Sequence, residues 1–437
     1  MKDMIEISGN LKFKEGTIGD YDQILEQICK DATYGTYLDF PQDISSLLTD
    51  YKSLYKIITT KEESQNVYAF KIAINEKLFP LNQGGIQHFI STVAGDLLNF
   101  KLPNSSLESI KITDVSWESI NKHQDNKIKD IRSKLYLNDN EPVLAFSFKP
   151  RFGLSTSDFI KISQDVLECG FHIVEADTRK ILLDDDKTDF IEFAKNINSI
   201  IKAKQAVAFS LNLSNRTHDL EDILDELKDV DPLIIKIDAS LDGFTLMQRA
   251  KKKNENLIIT CYPLLKNQLK EKIPSQFLND VLAYCGADIV YPGGRANIKD
   301  QVRSYDAMGE YDINQSIRNY KQIVDNHQFI PTIAGGISPG QLHIFYELYG
   351  PDTFFFLGGA IALHKKGPRA GAQLCKNIIN EAVSFRDNPK SGDVPHNISK
   401  TLILEIHDNY NGMDEYLSPM KFFEQNKTLK SYFSESK

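Results

Sequence analysis

The chain has 437 residues, 41% hydrophobic and 25% charged, a globular composition with enough apolar side chains for a substantial core, which excludes a largely disordered chain. That length exceeds one typical domain and suits two or three. The 51 Lys and Arg against 60 Asp and Glu leave a formal charge of -9, which repels nucleic acid and anionic lipid over much of the surface and confines any phosphate chemistry to a local pocket.

No stretch approaches the ~18 apolar residues of a membrane span. The start MKDMIEISGNLKFKEG lacks the apolar run of a signal peptide, so the expectation is a cytoplasmic protein with neither nucleic acid nor membrane as partner. Five cysteines (Cys29, Cys169, Cys261, Cys285, Cys375) lie far apart without a CxxC pair, which supports neither a disulfide framework nor a thiolate zinc site and predicts reduced, buried residues.

Residues 1–140 mix helical patterns (YDQILEQICK, GGIQHFISTVAGDLLNF) with strand patterns (SLYKIITT, NVYAFKIAI, LESIKITDVSW) and predict a small α+β domain. From 141 to 388 a regular rhythm takes over. Short β-branched runs at 143–150, 171–177, 206–214, 233–239, 257–263, 287–293, 329–336 and 353–360 alternate with amphipathic segments such as DFIKISQDVLECG and AGAQLCKNIINEAVSF. Eight strand and helix units with buried-type strands predict an α/β fold, a parallel (β/α)8 TIM barrel. Residues 389–437 form a polar C-terminal tail with two short apolar pieces (TLILEI, MKFFEQNKTLKSYF) whose packing the sequence leaves open.

Barrel enzymes place their chemistry at the carboxyl ends of the strands. In order, those ends carry Lys149 and Arg151; Glu175 and Asp177; Asn212; Lys236 and Asp238; Cys261 and Tyr262; Tyr291 with Gly293, Gly294 and Arg295; Gly335 and Gly336; and Gly358 and Gly359. Glu175 and Asp177 stand two apart and share a face. They serve either as hard oxygen ligands for Mg2+ or as acid and base, or else they pair with Lys149, Lys236 or Arg151 in a structural ion network. The glycine pairs on the last two strands suit the backbone phosphate site common in such barrels, the bland alternative being tight turns. Lys149 is the candidate general base, and Arg151 or Arg295 the candidate stabiliser of a developing enolate. His364, Lys365, Lys366 and Arg369 add positive charge beyond the last strand, as an anion aid or as solvated side chains. His172 has the wrong parity for the barrel mouth and reads as structural, and Cys261 as a packed residue.

The run FSFKPRFGLS (146–155) resembles the first barrel strand of the ribulose-bisphosphate carboxylase large chain. ATYGTYLDF (32–40), LFPLNQGGIQHFISTVAGDLL (78–98), ECGFHIVEAD (168–177), AGG, FLGGA and GPRAGA follow in the family's order, so that the likeness covers nearly the whole chain. The resemblance implies an α+β N-terminal domain before the barrel. It further implies Lys149 as the proton-transferring base, Arg151 in place of a second lysine, and Gly336, Gly358 and Gly359 as phosphate-binding positions. Thr36, Tyr37 and Asp96 stand where residues reach in from a partner subunit, which implies a homodimer.

The departures fall in the chemistry. Glu175 stands where the carboxylase carbamylates a lysine to hold Mg2+, Thr178 replaces the last metal ligand and only Asp177 is kept. Cys261, Tyr262 and Tyr291 replace a histidine, an arginine and a second histidine. This pattern points away from CO2 fixation and resembles the RuBisCO-like, or form IV, proteins, several of which share a GGR run like that of 293–295. The implied activity is proton transfer (enolisation, isomerisation or decarboxylation) on a small phosphorylated ketose-like substrate, with Mg2+ weakly bound or absent and no carbamylated lysine. The other class is a non-catalytic sugar-phosphate-binding or regulatory protein.

Overall fold

The computed structural model describes residues 3–15, 21–34, 54–64, 66–98, 100, 106–121, 127–150, 154–176, 191–192, 194–196, 198–199, 208–212, 219–261, 273–290, 329–335, 337–387 and 398–410. The chain divides into two compact units, one made of Met1–Gln124 with Ala239–Gln248 and Pro263–Cys285, the other of Asp125–Asp238, Arg249–Tyr262 and Gly286–Lys437.

The first unit is built on an antiparallel sheet of β1 (Met4–Phe13), β2 (Tyr55–Ser64), β3 (Val67–Asn75) and β4 (Leu107–Ser116) in the order β2-β3-β1-β4. β1 alternates buried Ile5, Ile7, Leu11 and Phe13 with polar residues, the period of a strand covered on one face. The helix Tyr21–Tyr34 buries Leu25, Ile28 and Cys29. Phe89, on the helix Gly85–Ser91, packs against Trp117 and Phe277 with ring centroids at 4.9 and 5.5 Å. Trp117 donates its indole N–H to Glu76 at 3.0 Å. Both glycines of the LNQGGIQ run are structural: Gly84 sits at φ +80°, and a β-carbon on Gly85 would strike the Phe79 carbonyl.

The second unit is a closed barrel of eight parallel strands, as the sequence rhythm predicts. They are β5 (Val143–Ser147), β6 (Ile173–Ala176), β7 (Ala208–Asn212), β8 (Leu233–Ile237), β9 (Ile258–Cys261), β10 (Ile289–Val290), β11 (Ile330–Ala334) and β12 (Phe354–Leu357), with β12 hydrogen-bonded to β5 and β10 to both neighbours. Every residue of β5 and β8 is buried, as strands covered on both faces require. Val143, Ala145, Ile173, Ile234, Ile258, Ile289, Ile330 and Phe354 fill the lower interior. Ile128, Ile131 and Leu135, from the helix Lys127–Lys134 and the residue after it, pack beneath them and close that end.

The helix Thr156–Glu168 starts in a capping box, Ser155 Oγ accepting from the Asp158 N–H at 3.2 Å while the Asp158 carboxylate accepts from the Ser155 N–H at 3.1 Å. The long helix Pro368–Asp387 lies so close to the short helix Gly359–Ala362 that a β-carbon at Gly371 would collide with the Ile361 carbonyl. The tail helix Lys400–Asn409 buries Leu402 and Ile406 and is tied to the segment after β12. The Lys365 N–H donates to Asn409 O at 3.0 Å, and the Tyr410 hydroxyl donates to Ala360 O. All five cysteines are buried thiols, none in a disulfide. Among the described residues no helix is long and apolar enough to cross a membrane.

Candidate active site

Above the isoleucine layer the barrel interior turns polar. Two residues further along each strand, and therefore on the same face, come Ser147, Glu175, Lys236, Thr260 and Thr332, while Ser210 pairs in register with Glu175. All six are buried.

The Lys236 ammonium lies 2.8 Å from Glu175 Oε1, with the lysine side chain 9% and the glutamate 1% exposed. The Phe356 ring faces the same ammonium at 5.3 Å. The hydroxyls of Ser210 and Thr332, both buried, have no hydrogen-bond partner among the described residues.

Lys149 follows β5 at its carboxyl end and is half-buried. Its stem runs along β12's exit: a β-carbon built on Gly358 would come within 3.3 Å of Lys149 Cε and 3.4 Å of Ser147 O. Gly335 follows β11 at φ +89°, a conformation that favours glycine, and is exposed. The Gly358 carbonyl accepts from Ile361 N and Ala362 N at 3.1 and 3.0 Å, and Gly359 opens the following short helix.

The structure therefore brings together Lys149 with Gly358, and Glu175 with Lys236. Arg151, Asp177, Arg295, Gly336, Thr36 and Tyr37 lie outside the described residues. Asp96 is on the π-helical turn Thr92–Leu97 of the first unit. Of the basic residues beyond β12, Arg369 is engaged elsewhere, its guanidinium sitting 3.0 Å from Asp165 and 2.6 Å from Glu168. Lys365 donates to Asp408 O at 2.8 Å and His364 packs edge-on against Tyr410. His172 faces away from the barrel mouth, its Nδ1 accepting from the Leu144 N–H at 3.0 Å and its Nε2 3.2 Å from Glu141.

Sequence reasoning placed Lys236 at a strand end without making it a site residue, and it passed over Ser210 and Thr332. Period-2 counting from Ile234 and Ile330 puts Lys236 and Thr332 inside, and that signal was available.

Of the two candidate Mg2+ ligands, Glu175 is described and Asp177 lies outside the described residues. No group of three His, Cys, Asp or Glu side chains that could hold a metal ion occurs among the described residues. The one candidate ligand described, Glu175, carries the Lys236 ammonium, and a divalent ion on the same oxygen would meet a like charge.

The family model of the ribulose bisphosphate carboxylase large chain, catalytic domain, matches residues 127–394, more than half of the chain. The ribulose bisphosphate carboxylase of Pyrococcus furiosus is 21% identical over 348 residues, 76% of this chain and 79% of that protein. That of Methanosarcina mazei is 22% identical over 357 residues, 74% and 79% of the two chains. The octameric Rubisco of Pyrococcus horikoshii OT3, solved with sulfate, superposes with a TM-score of 0.69 at 16% identity over 89% of this chain and 91% of that one. The dimeric archaeal Rubisco of Hyperthermus butylicus gives 0.67 at 17% identity over 88% and 91%. A barrel with this interior, matched by the family's catalytic-domain model over the same residues, belongs to the ribulose bisphosphate carboxylase large-chain family.

Proposed function

We propose that this chain is a RuBisCO-like enzyme that moves a proton at carbon beside a carbonyl in a small phosphorylated ketose-like substrate, without fixing CO2. The observation that carries this reading is Lys149, held at the carboxyl end of β5 with its stem against the bare backbone of Gly358. An ε-amine at a barrel mouth, half-buried two residues past the end of β5, is a positioned base. It abstracts the proton in its amine form, and the electron pair passes into the enolate. Arg151 and Arg295 are assigned to the enolate oxygen, and Gly335, Gly336, Gly358 and Gly359 to the phosphate. Glu175 in place of a carbamylated lysine supports chemistry other than carboxylation.

The Rubisco of H. butylicus is dimeric and that of P. horikoshii octameric, which supports a homo-oligomer here, with Thr36 and Asp96 on the side that completes a partner's barrel mouth.

The test is solvent exchange. Phosphorylated ketoses and 2-keto acids are incubated with the protein in D2O, and deuterium at the carbon beside the carbonyl is followed by NMR. Exchange that falls about 10²-fold or more in Lys149→Met supports the assignment. Ligand-induced thermal stabilisation without exchange on any substrate points instead to a sugar-phosphate-binding protein.

A further inference from the structure

The interior of an eight-stranded barrel is ordinarily filled by branched apolar residues, and the lower layer here conforms. One layer higher, Lys236 and Glu175 put two opposite full charges 2.8 Å apart where water barely reaches. An apolar pair of similar volume at such a place is commonly neutral or stabilising, so the ion pair does not explain itself as a stabilising device. It stands at the end of the barrel where this fold does its chemistry.

Ser210 and Thr332 add an independent observation. Their hydroxyls face the same polar layer, are buried, and lack a partner among the described residues. Buried hydroxyls are ordinarily satisfied, and these two are places where water or a polar group of a ligand could hydrogen-bond.

A magnesium ion approaches a carboxylate oxygen at about 2.0–2.1 Å. On Glu175 Oε1 that place is contested by the ammonium at 2.8 Å. A compact point charge fixed beside a carboxylate is a workable substitute for a metal as a stabiliser of oxyanions.

We propose that Lys236 is an internal cation that stands in place of a divalent metal, its ammonium, held by Glu175 and faced by Phe356, stabilising the negative charge that develops on the substrate oxygen. The proposal rests on the enolising reading above. In the step, the C–H bond breaks, its proton goes to the Lys149 amine, its electron pair forms the enolate C=C, and the carbonyl π pair moves onto oxygen. Lys236 keeps its proton throughout. Because its charge is fixed before the reaction, no reorganisation is needed as the oxyanion forms.

Two measurements on the full chain decide it. Calorimetric titration of MgCl2 into the parent is expected to show no binding tighter than on the order of 1 mM, the weak end of protein cation sites. In Lys236→Met, which removes the ammonium from Glu175 Oε1, Mg2+ binding is expected to tighten at least about tenfold. A parent that binds Mg2+ at micromolar concentration overturns the proposal, as does a folded Lys236→Met whose Mg2+ affinity is unchanged. If Lys236→Met leaves Glu175 uncompensated and does not fold, the parent titration still decides, and Lys236→Met/Glu175→Gln serves for activity.

The second measurement is deuterium exchange in EDTA. Exchange is expected to persist in EDTA and to fall about 10²–10³-fold without the ammonium. Exchange abolished by EDTA and restored by Mg2+ overturns the internal cation and leaves the enolising reading intact. A Mg2+-silent parent and a Mg2+-binding Lys236→Met, with no exchange on any substrate, removes the enolising reading and keeps Lys236 as the occupant of the metal's place.

Discussion

Lys149 and Gly358 follow strands that are adjacent in the barrel but far apart in sequence, and the lysine stem passes the glycine so closely that a β-carbon there would sit 3.3 Å from Lys149 Cε, a tight contact. Gly358 is therefore assigned two roles, the bare backbone for phosphate and the room along the path of the base. Gly358→Val is expected to deflect Lys149 and block the anion. Deuterium exchange should fall about tenfold or more, and protection from heat by phosphate or sulfate should disappear. If phosphate protects Gly358→Val as well as it protects the parent, the anion binds elsewhere.

Carbon dioxide should not activate this protein. Carbamylation needs the neutral ε-amine of a lysine, and the second barrel strand supplies Glu175, a carboxylate already joined to Lys236 at 2.8 Å. Bicarbonate added to the MgCl2 titration is expected to change neither heat nor stoichiometry. Bicarbonate-dependent Mg2+ binding would contradict this directly.

The barrel was legible because its strands are buried on both faces and so read as apolar runs, as β5 and β8 do in full. Pairing inside the mouth was not. Glu175 had Lys149, Lys236 and Arg151 as candidate partners, and the choice depends on which strands are neighbours and on side-chain reach. The glycines of GPRAGA and LNQGGIQ mark packing: Gly371 lets two helices touch and Gly85 admits the Phe79 carbonyl. Arg369 looked like part of an anion site because it follows β12, yet Asp165 and Glu168, two hundred residues earlier, claim it. Such through-space partners leave no local trace in a sequence.

Assembly gives a third prediction. The family resemblance assigns Thr36, Tyr37 and Asp96 to positions that face a partner subunit, and a two-fold dimer presents the same patch on both chains. Sedimentation at micromolar concentration is expected to give a dimer. A monomer at that concentration that still exchanges deuterium would show that one chain suffices for the site.

Acid should destabilise the protein over two successive pH ranges. His172 Nδ1 accepts from the Leu144 N–H at 3.0 Å, so its proton sits on Nε2 and points to Glu141 at 3.2 Å. Burial holds the imidazole below its usual value of 6.5, although the Glu141 carboxylate pulls the other way. Below about pH 6.5 the unfolded chain therefore takes up the histidine proton before the folded chain does, and stability present above that pH is lost as the pH falls. Glu141 is held far below its ordinary 4.5 by the hydrogen bond from His172 and by Lys376, so its share is present above 4.5 and lost below it. The melting temperature is expected to be level from pH 8 to about 7, to decline below about 6.5 and to fall more steeply below about 4.5. His172→Ala, which leaves the buried Leu144 N–H without its acceptor, should destabilise the protein by about 1–3 kcal/mol at pH 8. It should also flatten the first decline, and a first decline equally steep in parent and variant would assign that stage to other groups.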